Sequence, residues 1–331
     1  MAVSRNSDER SSALWLVAPH RAEIRPAAAP SPPPGYLRIR ALASGISRGT
    51  ESLVFEGRVP ESEWGRMRCP FQEGAFPFPV KYGYALVGLV EKGSGRAGER
   101  VLCLHPHQSR ITIPTEAAIS IPPGISTERA VLAPQMETAL NATWDAAPCV
   151  GDRIAVVGAG VIGCLVAYLC SRLPGTVVTL IDINEDRRDV ASALGLPFAT
   201  PSGELPSGCD LVFHASGQAS GLDLSFSLSG FEASVIELSW YGTTSVLAGL
   251  GGAFHSQRLT LRSSQVGSVA PSRRPRWSSQ RRLALALGLV ADKRLDVLVQ
   301  SETPFEALPA ALPSILGRPG PLCHLVRYPR S

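Results

Sequence analysis

Three glycines decide what the middle of this chain can become. Gly158-Ala159-Gly160-Val161-Ile162-Gly163 follows the apolar run that ends at Val157 and opens a second apolar run that reaches Cys170. Spaced this way between a strand and a helix, each glycine has a separate task. The first makes a tight turn, the second lets backbone approach a pyrophosphate, and the third lets helix pack on strand. The helix start then offers the amides around Val161 and Ile162 and the positive end of its dipole to phosphates. Thr176 to Ile181 reads as the next strand, and Asp182 stands 19 residues after Gly163 (182 minus 163). A carboxylate there accepts hydrogen bonds from an adenosine ribose and repels a 2′-phosphate, so the expected ligand is NAD rather than NADP.

The pattern around this turn is that of strands alternating with helices. Arg153 to Val157, Thr176 to Ile181, Asp210 to His214 and Ala233 to Leu238 read as strands. Arg187 to Leu194 reads as a helix stopped by Gly195. Such alternation builds βαβ units and a parallel sheet. Residues 13–120 read differently, as short strands joined by turns. Leu14 to Val17, Tyr36 to Ala43, Val80 to Val90, Arg100 to Leu104 and Ile111 to Pro114 are the candidates, with a break expected at Gly88. Pro30 to Gly35 is a turn's length between strands. From about Arg276 the chain turns helical, Gln280 to Val290, and closes on the strand-like Leu322 to Tyr328. The fold class expected is α/β: an antiparallel β domain over 1–148 and 268–331, with a doubly wound parallel-sheet domain over 149–267 inserted in it.

The bulk numbers exclude several other classes. A length of 331 residues allows two domains. A net charge of +4 is too small to argue for nucleic acid or a membrane surface. The seven cysteines are scattered, odd in number and without a CxxC pair, which fits a reducing compartment. The polar start, Met1 to Ser12, carries Asp8 and Glu9 and shows no signal-peptide pattern. A cytoplasmic protein with a small-molecule substrate is the expectation, with no nucleic-acid or membrane partner.

These segments resemble the medium-chain dehydrogenase/reductase superfamily from about residue 13 to the end. Arg153 to Gly163 looks like its cofactor turn, and Leu180-Ile-Asp-Ile-Asn184 like the strand end of its NAD-using members. Asp210 to Gly217 and Arg258 to Ser264 resemble its later strands. The resemblance implies a GroES-like β domain, a Rossmann domain and a possible homodimer. Gly45-Ile-Ser-Arg-Gly-Thr-Glu51 and the strand with Gly83-Tyr84 are similar to the subgroup of bacteriochlorophyllide a dehydrogenase, which oxidises a hydroxyethyl group on a large ring with NAD. It further implies that Arg48 meets the cofactor pyrophosphate and that Thr138 packs beside the nicotinamide. Trp240 and Tyr241 would follow a strand at the sheet edge where ligands bind.

The same resemblance sharpens what the chain lacks. Ser47 stands where zinc members carry a catalytic Cys, and Tyr84 where they carry a His. Nothing from Ala133 to Gln135 supplies a third ligand, and no four-cysteine lobe follows Val101. A catalytic zinc needs three N, S or O ligands and an open position. No metal site is therefore expected. Hydride transfer belongs to the nicotinamide, and the protein must take the hydroxyl proton. Ser47, Thr50, Glu51 and Tyr84 are the candidates: Tyr84 to hold the substrate oxygen, Glu51 to accept the proton directly or through Thr50. For Tyr84 a core aromatic is the alternative, and for Glu51 a helix cap or an ion pair. His105 and His107 are the next candidates.

The segment Glu61 to Lys81, with Trp64, Arg66, Arg68, Phe71, Phe76 and Phe78, is long for a connection and reads either as a pocket wall or as a packed surface loop. The arginines from Arg273 to Arg282 read as a solvated helix start. The function expected is hydride transfer between an alcohol, secondary and possibly on a ring-bearing metabolite, and NAD, without zinc. A zinc-free enone or quinone reductase and a non-catalytic NAD-binding regulator are the alternatives.

Overall fold

The computed structural model describes residues 10–317 and 320–329. The first nine residues of the polar start therefore lie outside the described part. The chain divides into two compact units, 1–134 with 299–331 and 135–298. The larger insertion takes in most of the helix Ala133–Ala146 and the segment 268–298, which the sequence pattern had placed with the β domain. Among the described residues, no helix is long and apolar enough to cross a membrane.

The first unit is built on the strand Tyr36–Ile46, which pairs with Leu86–Lys92, Arg110–Pro114 and Cys323–Arg327. The sheet has seven strands, closed at one edge by Val299–Pro304, which runs parallel to Cys323–Arg327. All its other pairs are antiparallel. A second sheet of four strands orders Arg21–Ala28, Arg10–Ala18, Val80–Lys81 and Glu73–Gly74. The expected strand over 80–90 is two strands, and its break falls at 82–85 rather than at Gly88. Gly83 takes φ +124° there, a conformation side chains resist. Gly88 stays inside Leu86–Lys92, where an added Cβ would lie 2.4 Å from Ile39 and 2.6 Å from the Arg40 carbonyl. Its hydrogen atom serves close strand packing.

At the end of Tyr36–Ile46 the chain turns at Ser47 into the helix Arg48–Phe55. This short helix is anchored by the Arg48 guanidinium, which donates to the carbonyls of Ile315 (2.8 Å), Gly317 (2.6 Å) and Pro321 (2.9 Å). Three acceptors at such distances hold a planar fork in one place.

The second unit carries a six-stranded parallel sheet. Its order is Phe198–Ala199, Val177–Ile181, Arg153–Val157, Cys209–His214, Ser229–Glu237, Thr260–Ser263. Numbered along the unit this is 3-2-1-4-5-6, the doubly wound arrangement with a reversal between the third and fourth strands in space. Ile181, Val157, His214, Glu237 and Ser263 are register partners and form one row at the carboxyl edge. Helices Val161–Cys170, Arg187–Leu194 and Ala219–Leu228 connect the strands, and Gly195 ends the second at φ +74° as a left-handed stop.

A charged pair is sunk into this unit. Arg282, on the helix Ser279–Leu289, is 2% exposed and bonds Glu137 (2.9 Å), Asn141 (2.6 Å) and the carbonyls of Val266 (2.5 Å) and Ser268 (3.2 Å). Burial raises the Glu137 carboxyl above its ordinary range, and Arg282 opposes that rise. Removing one partner of such a pair strands a buried charge, so Arg282→Ala is expected to cost about 3–5 kcal/mol. Replacing both, as Arg282→Met with Glu137→Leu, should recover most of it. Urea unfolding of the three proteins checks this; a loss under about 1 kcal/mol in the single variant would show that the pair is not buried in solution.

Candidate functional site

Two clusters of chemistry-bearing residues emerge, one in each unit. In the second unit the turn after Val157 has the three expected glycines in three different situations. Gly158 adopts φ +108°, and a Cβ on it would lie 2.6 Å from the Ser216 amide nitrogen. At Gly163 a Cβ would fall 1.8 Å from the Gly158 carbonyl oxygen. At Gly160 it would meet nothing within 4 Å. Two glycines therefore serve packing, while the third faces open space. Gly160 is the N-cap of Val161–Cys170 and gives no side-chain cap, so the amides of Val161, Ile162 and Gly163 start the helix uncapped by side chains. Such a helix start is a ready anion seat.

Asp182 follows the strand Val177–Ile181 on the neighbouring side. Its Oδ2 accepts from the Ala159 amide at 2.6 Å and its Oδ1 from the Asn184 amide at 2.9 Å. The carboxylate is thus locked onto the glycine turn with lone pairs left for hydroxyl donors. Open space at Gly160, uncapped amides and a fixed carboxylate together fit a dinucleotide.

On the other side of the turn sits a network that the sequence reading did not find. His214 Nδ1 lies 2.8 Å from Glu237 Oε2, and its Nε2 lies 2.6 Å from Ser216 Oγ. The Tyr241 hydroxyl donates to Glu237 Oε2 (3.1 Å) and the Ser239 amide to Oε1 (2.7 Å). Burial pushes the Glu237 carboxyl up, but the His214 hydrogen bond and the Ser239 amide bring it below its ordinary value. Tyr241 had been singled out for its place near the sheet edge; His214 and Glu237 gave no signal beyond ending strands. Thr138 is the sole partly exposed residue in an otherwise buried run from Arg129 to Ala142.

The first unit brings the four catalytic candidates together. The Tyr84 hydroxyl donates to Ser47 Oγ at 2.5 Å, and both residues, like Thr50, keep part of their surface exposed. Burial pushes the Tyr84 phenol up to about 12, against the pull of hydrogen bonds with Ser47 and Thr50. It is a protonated donor at neutral pH. Behind them Glu51, 5% exposed, takes the Ser47 amide on Oε1 (2.7 Å) and His107 Nε2 on Oε2 (3.0 Å). The carboxylate so caps its own helix start, one of the alternatives its position left open. Both oxygens point inward, so direct contact with an alcohol is not what this geometry offers.

His107 continues the chain inward. Its Nδ1 lies 2.7 Å from Ser44 Oγ, which lies 2.9 Å from the Tyr328 hydroxyl. A Cβ on Gly83 would stand 2.9 Å from the His107 ring, so glycine beside Tyr84 makes room for the imidazole. His105 points elsewhere: its Nδ1 donates to the Pro106 carbonyl at 2.9 Å and its ring stacks on Phe71. Burial drops its pKa to about 3, which makes it a poor base. The segment Glu61 to Lys81 supplies Phe71 and the buried Cys69, whose thiol burial pushes up to about 12.

Arg48 is placed differently from what the resemblance implied. Three of its five N–H donors are spent on the carbonyls named above, inside its own unit. Among the described residues, no three of His, Cys, Asp and Glu stand close enough to hold a metal ion.

Solved structures align with nearly the whole chain. L-Idonate 5-dehydrogenase of Escherichia coli matches with a TM-score of 0.79 at 14% identity, over 96% of this chain and 98% of that one. The fold is that of the medium-chain dehydrogenases. An Escherichia coli alcohol dehydrogenase in complex with NADH matches at 0.73, and a Sinorhizobium meliloti dehydrogenase classed as zinc-binding and bound to NADP at 0.75. Both are 17% identical over 96% of this chain and 99% of theirs. Among curated proteins, D-xylulose reductase of Saccharomyces cerevisiae is 32% identical over 136 residues, 40% of this chain and 38% of that protein. The 2-desacetyl-2-hydroxyethyl bacteriochlorophyllide A dehydrogenase of Cereibacter sphaeroides is 26% identical over 235 residues, 65% of this chain and 69% of that protein. The chain thus spans well under half of the first relative's length. No family model matches.

Gly160 offers a clean test of the turn. Its φ of −71° suits alanine and the space is free, so Gly160→Ala should unfold at the wild-type temperature. The added methyl group would project into the open space at the helix start, and NADH affinity is expected to fall by at least about tenfold. Calorimetric melting beside an NADH fluorescence titration reads both; full retention of NADH binding would place the cofactor elsewhere.

Proposed function

We propose that this protein is an NAD-dependent alcohol dehydrogenase that polarises its substrate with hydroxyl groups instead of zinc. The observation that carries the reading is the 2.5 Å contact from Tyr84 to Ser47, the two positions where the resemblance implies metal ligands in zinc members. Serine and tyrosine hydroxyls are not the donors a zinc ion selects. They are suited to grip an alcohol oxygen. Tyr84 stays protonated and gives its one proton to Ser47 Oγ, which leaves the Ser47 hydroxyl to donate as the alcohol oxygen gains negative charge, where preorganised donors lower a barrier.

The bound nicotinamide supplies the hydride chemistry. Gly160 and the amides of Val161, Ile162 and Gly163 hold the pyrophosphate, Asp182 holds the adenosine ribose, and Thr138 borders the nicotinamide. Glu51 acts through a bridge, Thr50 or a water, and His107 fixes its carboxylate. The substrate is a secondary alcohol, or the ketone in the reverse direction. The relatives' names support a CH–OH group as the reacting centre.

Asp182 should favour NADH over NADPH by on the order of a hundredfold, since a 2′-phosphate loses the ribose hydrogen bond and meets like charge. Titrating both cofactors decides it. NADPH binding as tight as NADH would end the assignment, and Asp182→Gly should narrow the gap.

The proton-handling assignment is tested with Tyr84→Phe and Glu51→Gln, on the first alcohol from a secondary-alcohol panel that reduces NAD. Both variants should lower turnover by about 10²–10⁴-fold with NADH affinity unchanged. Metal analysis of the purified protein belongs with it. Wild-type turnover in both variants, or one stoichiometric zinc whose removal stops turnover, overturns the hydroxyl-based reading.

A further inference from the structure

The parallel sheet ends in a row whose members differ sharply in character. Ile181 and Val157 are apolar, whereas His214 and Glu237, the next two partners, are ionisable and hydrogen-bonded to each other. His214 is fully buried. A buried imidazole and carboxylate are costly to desolvate, and here every polar atom of the pair has a partner. Glu237 collects His214, Tyr241 and the Ser239 amide; His214 also reaches Ser216 Oγ.

These partners belong to the two loops that leave the sheet at its carboxyl edge. Ser216 Oγ, fixed by His214, accepts from the Gln218 amide at 3.2 Å, and Ser239 Oγ accepts from the Gly217 amide at 3.0 Å. The network therefore ties 214–218 to 237–241. It also abuts the cofactor turn, because the Ala215–Ser216 backbone occupies the space that a Cβ on Gly158 would need. The helix Ala219–Leu228 closes over it, with Gly221 so near that a Cβ there would lie 2.2 Å from Ser216 Oγ.

Position then says which half of a dinucleotide these loops serve. Asp182 follows a strand on one side of Arg153–Val157, and His214 ends the strand on the other side. Neighbouring strands are about 4.8 Å apart, so the network stands two to three spacings from the strand that carries Asp182. A dinucleotide bound across the reversal with its adenosine ribose on Asp182 extends its other half over these loops.

We propose that His214, Glu237 and Tyr241 form a positioning frame for the nicotinamide riboside half of the cofactor, holding loops 214–218 and 237–241 in the binding geometry before it arrives. The inference rests on the dinucleotide reading above. The residues act through the loops they brace, as positioning residues. Preorganisation of this kind shows as affinity for one half of a ligand.

The test compares NADH with ADP, which carries the adenosine half and the pyrophosphate without the nicotinamide riboside. Glu237→Gln keeps the shape of the side chain but replaces one acceptor oxygen with a donor, and Tyr241→Phe removes one donor to Glu237 while keeping the ring. Calorimetric titration should show NADH affinity down by about tenfold in Glu237→Gln and about threefold in Tyr241→Phe, the scale of one buried hydrogen bond. ADP affinity should stay within about twofold of wild type in both, given the same scale. Melting curves identify a variant that fails to fold; Tyr241→Phe, at a partly exposed residue, then carries the comparison. If NADH and ADP weaken together, or neither weakens, the frame does not serve the nicotinamide half and the inference falls. If the wild-type protein binds no ADP, the cofactor reading itself is wrong and the inference falls with it.

Discussion

The turn from Gly158 to Gly163 tolerates side-chain carbons at neither end, and much else follows from that refusal. A methyl group on Gly163 would overlap the Gly158 carbonyl, and one on Gly158 would overlap the backbone after His214. The helix Val161–Cys170 can start only because the strand, the turn and the neighbouring loop are pressed to backbone contact. That compression aims the first helical amides at the carboxyl edge and brings the Ala159 amide onto Asp182. It also makes the loop after His214 part of the turn's wall. In an open sheet the carboxyl edge is where ligands collect, and here its two flanks differ: a carboxylate on one, an imidazole–carboxylate pair on the other.

The first unit solves a different problem, the burial of a carboxylate inside a β domain. Glu51 is compensated by an amide of its own helix and by His107, and His107 in turn by Ser44 and Tyr328. Each polar side-chain atom of this string has at least one partner, which is what makes a buried polar string tolerable. In front of it stand Tyr84 and Ser47, both partly exposed residues whose hydroxyls bond each other. The outer pair supplies hydrogen bonds, and the inner string fixes the charge behind them.

What the sequence revealed tracks how local each cause is. Arg153–Val157 and Arg187–Leu194 were legible to the residue, and Val161–Cys170 at its end, since periodicity and glycine stops lie within a few positions. The meeting of Ser47 with Tyr84 was legible through the resemblance. Ser44 and Tyr328 were not: they are 284 positions apart and meet because Cys323–Arg327 pairs beside Tyr36–Ile46. Gly88 looked like a strand break because a glycine inside a strand gives the same letter whether it bends the chain or admits a neighbour. Arg48 was tied to the cofactor pyrophosphate only through the resemblance, while the three carbonyls it bonds, of Ile315, Gly317 and Pro321, come from far along the chain and leave no local signal.

The Arg48 anchor and the Ser44–Tyr328 bond have a consequence for biosynthesis. Residues 135–298 form a continuous unit that a ribosome finishes before residues 299–329 appear. The strand Tyr36–Ile46, made early, must wait through that whole insertion for Cys323–Arg327. Until then Arg48 lacks its three carbonyls, Ser44 lacks Tyr328, and the helix that carries Glu51 is a short segment without its anchor. Isolated helices of this length are unstable in water. The half of the protein that is translated first is thus completed last, and until residues 323–327 appear the nascent chain holds an unfinished sheet edge. That edge is the surface a chaperone would have to cover.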